Sequence, residues 1–123
     1  MYLLINTSEK DLINLSIFDK NFVEHKNYSG QNRELLSCIN DLLKDNKPAG
    51  IMVVVGVGGF TSTRIATVVA NTFGYVLQIP LLAVSLDEAN DPQKLISKLL
   101  KQPVGQYISA TYSGEANIGK KKA

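Results

Sequence analysis

The spacing of apolar and polar residues changes several times along this chain, and each change marks an element. Tyr2–Ile5 is a short apolar run closed by Asn6-Thr7-Ser8. In Leu12–Phe18, Ile13, Leu15 and Ile17 alternate with Asn14 and Ser16, the period of a strand buried on one face. Asp19-Lys20-Asn21 predicts a hairpin, and Phe22–Tyr28 returns as a more polar strand with Val23, His25 and Asn27 on one face. Glu24 and Lys26 suit that strand to a sheet edge, where charge discourages foreign pairing. Leu35, Leu36, Ile39, Leu42 and Leu43 then recur at i, i+1, i+4, i+7 and i+8, the stripe of an amphipathic helix. Ser29 or Asn32 is its expected cap, Glu34 sits favourably in its first turn, and Asp45-Asn46-Lys47-Pro48 ends it.

Residues 50–79 organise the rest. Ile51–Val55 is apolar at every position, which predicts a strand covered on both faces. Gly56-Val57-Gly58-Gly59-Phe60 turns the chain, with Gly56 and Gly58 expected to serve the backbone, and Thr61 or Ser62 can cap the helix that follows. That helix has two stripes. Ile65, Val68, Val69, Thr72, Phe73 and Val76 are expected to face the sheet. Ala66, Ala70 and Gly74, flanked by Thr63, Thr67 and Asn71, form a second stripe of small residues. Small residues at that spacing let another helix approach closely, so this stripe is expected to be a partner interface, with cover by the first helix as the plainer alternative.

After Gln78-Ile79-Pro80, Leu81–Val84 reads as a short buried strand. Asp91-Pro92 suits N-cap and N1 of a last helix carrying Leu95, Ile96, Leu99 and Leu100. Gln106–Tyr112 is a weak strand. The order βββαβαβα predicts an α/β lobe with a mixed five-stranded sheet and helices packed on it. This is the outline of a ribonuclease-H-like lobe, the N-terminal lobe of the actin-like and sugar-kinase (ASKHA) class. Residues 1–104 are expected to form the single lobe and 105–123 a C-terminal appendix with a lysine tail.

Composition narrows the compartment more than the chemistry. A chain of 123 residues is one domain's worth, and a lone cysteine, Cys38, allows no internal disulfide and fits a reducing, cytoplasmic setting. The N-terminus shows no secretory leader and no apolar run approaches the ~20 residues of a membrane span. A net charge of +2 gives no reason to expect direct nucleic-acid binding, and Lys120–Lys122 reads as a solvated tail.

The residues also carry a family resemblance. Ile5-Asn6-Thr7-Ser8, the run Gly56 to Ile65 and Ile79-Pro80-Leu81-Leu82-Ala83-Val84-Ser85 resemble the TsaB (YeaZ) family. Its glycine-rich signature is Gly-Pro-Gly-Ser-Phe-Thr-Gly-x-Arg; Gly56, Gly58, Phe60, Thr61 and Arg64 match, while Val57, Gly59 and Ser62 depart. Tyr112-Ser113-Gly114-Glu115-Ala116-Asn117-Ile118 resembles the family's closing segment, with Ala116 in place of a proline. Family members usually carry a second lobe, for which this chain has no room.

The resemblance implies a noncatalytic scaffold that binds and activates a TsaD-like enzyme in threonylcarbamoylation of adenosine 37 of transfer RNA. A TsaE-like ATPase would join the assembled pair, and transfer RNA would be reached only through the complex. It further implies a helical-bundle contact through the first and central helices, so that Leu36, Asn40, Thr63, Ala66, Thr67, Ala70, Asn71 and Gly74 become the expected interface. The same patch would allow a homodimer when the chain is alone.

Catalytic chemistry is thinly represented. Related nucleotide-using folds place an aspartate at the end of the first strand; Asn6 stands there, a neutral amide. Gly56, Gly58, Gly59, Thr61 and Arg64 form a glycine turn that fits neither a dinucleotide fingerprint nor a P-loop, and it is expected to be structural. His25 has no cysteine beside it, Cys38 lies beside an apolar stripe, and Asp87, Glu88 and Asp91 fit a loop and a helix cap. No catalytic residue, metal or cofactor is expected. The competing readings are a nucleotide-binding or hydrolytic enzyme of the actin-like class and a degenerate homodimeric lobe.

Overall fold

In a computed structural model, residues 1–9, 12–29, 35–56 and 60–108 are described, with the side chains of 60–63 outside that description. Among them β1 (Tyr2–Asn6), β2 (Leu12–Phe18), β3 (Val23–Ser29), α1 (Leu35–Leu43), β4 (Ile51–Val54), α2 (Phe60–Leu77), β5 (Leu81–Val84) and α3 (Ile96–Leu100) follow in order. The strands form one sheet ordered β3-β2-β1-β4-β5. The hairpins β1–β2 and β2–β3 are antiparallel, whereas β4 pairs parallel with both β1 and β5. Parallel pairing requires crossovers, and α1 and α2 supply them. The mixed five-stranded sheet and the order βββαβαβα are as expected from the pattern.

Strand alternation divides the core into two layers. Leu3, Ile5, Leu15, Ile51, Val53 and Leu81 share one layer with Leu35, Cys38, Ile39, Leu42 and Leu43 of α1 and Ala66 and Ala70 of α2. Leu4, Phe18, Met52, Val54, Leu82 and Val84 share the other with Ile96 and Leu99 of α3. Thus α1 and α2 cover one sheet face and α3 the other. The register couples the layers, since Leu3 sits opposite Ile51 and Leu4 opposite Met52. All four residues of β4 are buried, as a strand covered on both faces must be.

Three expectations need correction. The largest concerns α2, whose small stripe points inward. Ala66 and Ala70 are fully buried, Thr67 and Gly74 are buried, and Ile65, Val68 and Val76 are exposed. The reason is volume. Ile51, Val53 and Leu81 already fill that face of the sheet, so the helix resting on them must present small side chains to come close. A methyl group added to Gly74 would lie 2.9 Å from Leu81 Cδ1. Val69 and Phe73, also expected to face the sheet, pack partly buried along its flank.

The last helix opens as a 3-10 turn, Pro92–Leu95, before its short α segment, and the Asp91 side chain makes no capping bond. Asp91 instead pairs with Lys94 at 3.4 Å. Ser29 closes β3 rather than capping α1; the other expected cap, Asn32, lies outside the described residues with Glu34. Helix α1 ends at Lys44 and α2 at Gln78, both with a φ of 56°, left-handed positions usually given to glycine.

Candidate partner-binding face

Helix α2 is where the fold departs most from an ordinary surface. It spans 18 residues, and its outward arc carries Ile65, Val68, Thr72, Tyr75 and Val76. Four of these are large and apolar or aromatic, with exposures of 50% (Ile65), 62% (Val68), 68% (Tyr75) and 67% (Val76). Thr72, between them, directs its hydroxyl to the Val68 carbonyl at 2.9 Å and so presents its methyl to the surroundings. Arg64 is the one charged residue of the helix. A single exposed leucine or valine is common on protein surfaces; a run of them along three helical turns without Lys or Glu is not.

The eight residues expected to form the interface separate into groups. Leu36 and Asn40 are exposed on α1. Ala66, Thr67, Ala70 and Gly74 are buried against the chain's own sheet and cannot touch a partner, so that part of the expectation is corrected. The Thr67 hydroxyl is satisfied inside the helix, donating to the Arg64 carbonyl at 2.9 Å. Asn71 is engaged within the chain: its Nδ2 donates to the Ile108 carbonyl at 3.0 Å and its Oδ1 accepts the Ile108 N–H at 2.8 Å. The side chain of Thr63 lies outside the described residues. The residues sequence reasoning assigned to the core, Ile65, Val68 and Val76, are the ones the fold leaves outside. The available signal was that α2 has two apolar stripes and only the one of small residues permits close approach to a filled sheet.

The glycine turn is partly visible. Gly56 has a φ of 89°, a conformation L side chains rarely adopt, in agreement with its expected backbone role. Gly58 and Gly59 lie outside the described residues, as does the side chain of Thr61; Arg64 is exposed one turn into α2.

The residues weighed for catalysis are spread across the fold. Asn6 accepts the Ser8 N–H on its Oδ1 at 2.9 Å, a local turn that ends β1. His25 meets Ser16 directly across the β2–β3 pair, with Oγ and Nδ1 2.6 Å apart. Cys38 is fully buried in the α1 layer. Ser85 and Glu88 form a reciprocal cap: Ser85 N–H donates to Glu88 Oε1 at 2.8 Å and Glu88 N–H to Ser85 Oγ at 3.1 Å. The bond from the Ser85 N–H holds the Glu88 carboxyl below its usual pKa against the opposing effect of burial, with lesser help from the Ser85 hydroxyl and Lys98. Among the described residues, no three potential metal-binding side chains converge. Nor, among them, is any helix long and apolar enough to cross a membrane.

Sheet order, crossovers and the helical layers define an α/β lobe of the ribonuclease-H-like, actin-like class. Two solved structures from Pseudomonas aeruginosa share it. One is YeaZ, 24% identical with a TM-score of 0.62; the other is described as an uncharacterized protein similar to the peptidase YeaZ, 24% identical with a TM-score of 0.61. Each alignment covers 76% of this chain but 49% and 48% of the respective neighbour, so the chain spans about half the length of the structures it matches. No protein-family model and no curated protein matches the chain.

Proposed function

We infer that this chain is a TsaB (YeaZ)-type scaffold that binds a TsaD-like enzyme through the outward face of α2 and acts, without catalysis of its own, in threonylcarbamoylation of transfer RNA. The observation that carries the reading is the uncharged apolar arc of Ile65, Val68, Tyr75 and Val76. It sits on one of the two helices that the family resemblance assigns to partner binding, and Leu36 is exposed on the other. The order of the motifs around Asn6, Gly56–Arg64 and Ile79–Ser85 and the YeaZ-like fold support the same family.

Asn6 argues for a scaffold over a phosphate-handling enzyme, because its amide holds the chain of Ser8 and brings no negative charge to a metal. On this reading a TsaE-like ATPase joins the assembled pair, transfer RNA is contacted through the complex in the cytoplasm, and the isolated chain dimerises through the same face. Co-expression with a tagged TsaD-like subunit tests it directly: stoichiometric co-purification is expected, and recovery of the enzyme alone would remove the scaffold reading.

A further inference from the structure

After α3 the chain returns to α2 and runs along its flank. Helix α1 packs over β2, and α2 over β4 and β5, so the sheet order puts the β5 side of α2 away from α1. Residues 105–108 lie on that side. Gly105, with a φ of 91°, turns the chain there. Asn71 then holds Ile108 by both ends of its amide, at 3.0 and 2.8 Å, and the Ile108 side chain is buried in the α1–α2 layer. Tyr107, between these two points, is 74% exposed.

Tyr107 lines a narrow crevice together with Tyr75, over Gly74, Ile79 and Leu81. No charged side chain lines it. On a helix, positions 71 and 75 fall on one side, one turn apart. The residue that holds Ile108 is therefore directly followed along the helix by Tyr75, a member of the outward arc. Val68 stands about two turns before Tyr75 on the same side. The exposed arc thus continues off the helix, from Val68 through Tyr75 to Tyr107, on the flank opposite α1.

We propose that Tyr107 belongs to the partner face, and that a TsaD-like subunit seated on α2 closes over Tyr107 together with Tyr75. The inference rests on the scaffold reading and extends its contact to a segment outside the two helices. Continuity names the occupant: Tyr107 shares an uncharged crevice with Tyr75, so a subunit that covers Tyr75 takes Tyr107 into the same buried patch. The main chain beside Tyr107 is fixed at Ile108 by the Asn71 bonds, so little backbone freedom is lost when the side chain is covered. A tyrosine held in this way brings a large apolar ring and a hydroxyl that bonds at the rim, the residue type that most often dominates protein contacts.

Calorimetric titration of a TsaD-like subunit with the full chain, with Tyr107→Ala and with Val68→Arg tests it. Tyr107 is largely exposed, so Tyr107→Ala should keep its Tm within a few degrees, while its Kd should rise by about tenfold or more. An unchanged Kd for Tyr107→Ala beside a weakened Val68→Arg would overturn the inference and leave the scaffold reading standing. Absence of binding by the wild type, or an unchanged Kd for both variants, would overturn the two together. Acetylation of tyrosines by N-acetylimidazole, located by mass spectrometry, reads the unaltered chain: Tyr75 and Tyr107 should lose reactivity together when the TsaD-like subunit is added. Continued reactivity of Tyr107 in the complex would overturn the proposal. So would a loss of reactivity that follows the concentration of the isolated chain and not the addition of the enzyme, because a second copy would then be the occupant.

Discussion

Gly74→Ala decides which face of α2 rests on the sheet, because the two possible orientations predict opposite signs. In an exposed helix interior, replacing glycine by alanine stabilises by about 1 kcal/mol through the backbone. Here the new Cβ would meet Leu81 Cδ1 at 2.9 Å, Cγ at 3.0 Å and Cδ2 at 3.1 Å. Carbon pairs prefer about 3.5–4.0 Å, so the whole isobutyl group must move, and Leu81 is buried between α2 and β4. Overpacking of this kind costs about 1–3 kcal/mol. Subtracting the helix gain leaves a net loss of up to about 2 kcal/mol, or roughly 4 °C in Tm per kcal/mol for a chain of this size. Urea and thermal unfolding, read by circular dichroism, measure it. Repeating the substitution in a Leu81→Ala background supplies the control, since Gly74→Ala should become stabilising once the isobutyl group is gone. A higher Tm for Gly74→Ala in the native background would refute the inward packing of this stripe.

Three further outcomes follow from separate parts of the fold. Lys44 is exposed with a φ of 56°, so Lys44→Gly should stabilise the C-terminus of α1 by about 0.5–1 kcal/mol, seen as a raised urea midpoint. The Glu88 carboxyl titrates below its usual value, so its cap contributes stability above the unfolded-state pKa and loses it as pH falls through the lower folded-state pKa. NMR titration should show Ser85→Pro, which removes the N–H donated to Glu88 Oε1, moving the Glu88 pKa upward, and an unmoved pKa would discard that bond as the cause. Mg-ATP should give no binding heat with the isolated chain, because Asn6 occupies the position where an acid would hold metal and phosphate; a low-micromolar Kd would favour the nucleotide-enzyme reading.

The succession of elements was legible in the sequence because each rests on a local period. Alternation in Leu12–Phe18, the short continuous run Ile51–Val54 between Gly50 and Gly56, and the 3.6-residue stripe of α1 each point to the element that forms. The orientation of α2 was not legible, because both its stripes are apolar or small. The choice depends on how much space Ile51, Val53 and Leu81 leave above the sheet, a property of three other segments. Asn71 illustrates the same limit. It looked like part of a partner-facing stripe, yet its two bonds reach Ile108, 37 residues away. At the glycine turn, Gly56 was readable from residue type alone, since its φ of 89° suits glycine. The exposed arc of α2 became visible only once the inward face was known.

The most direct test of the scaffold account is Val68→Arg, alone and combined with Val76→Arg, in a chain co-expressed with a tagged TsaD-like subunit. Both positions are more than half exposed, so the lobe should keep its circular dichroism spectrum and its Tm within a few degrees. A charge placed in the centre of an apolar contact should reduce co-purification by about tenfold or more, and light scattering should show the isolated chain shifting from dimer to monomer. Undiminished co-purification of the folded double variant would contradict the assignment of this face.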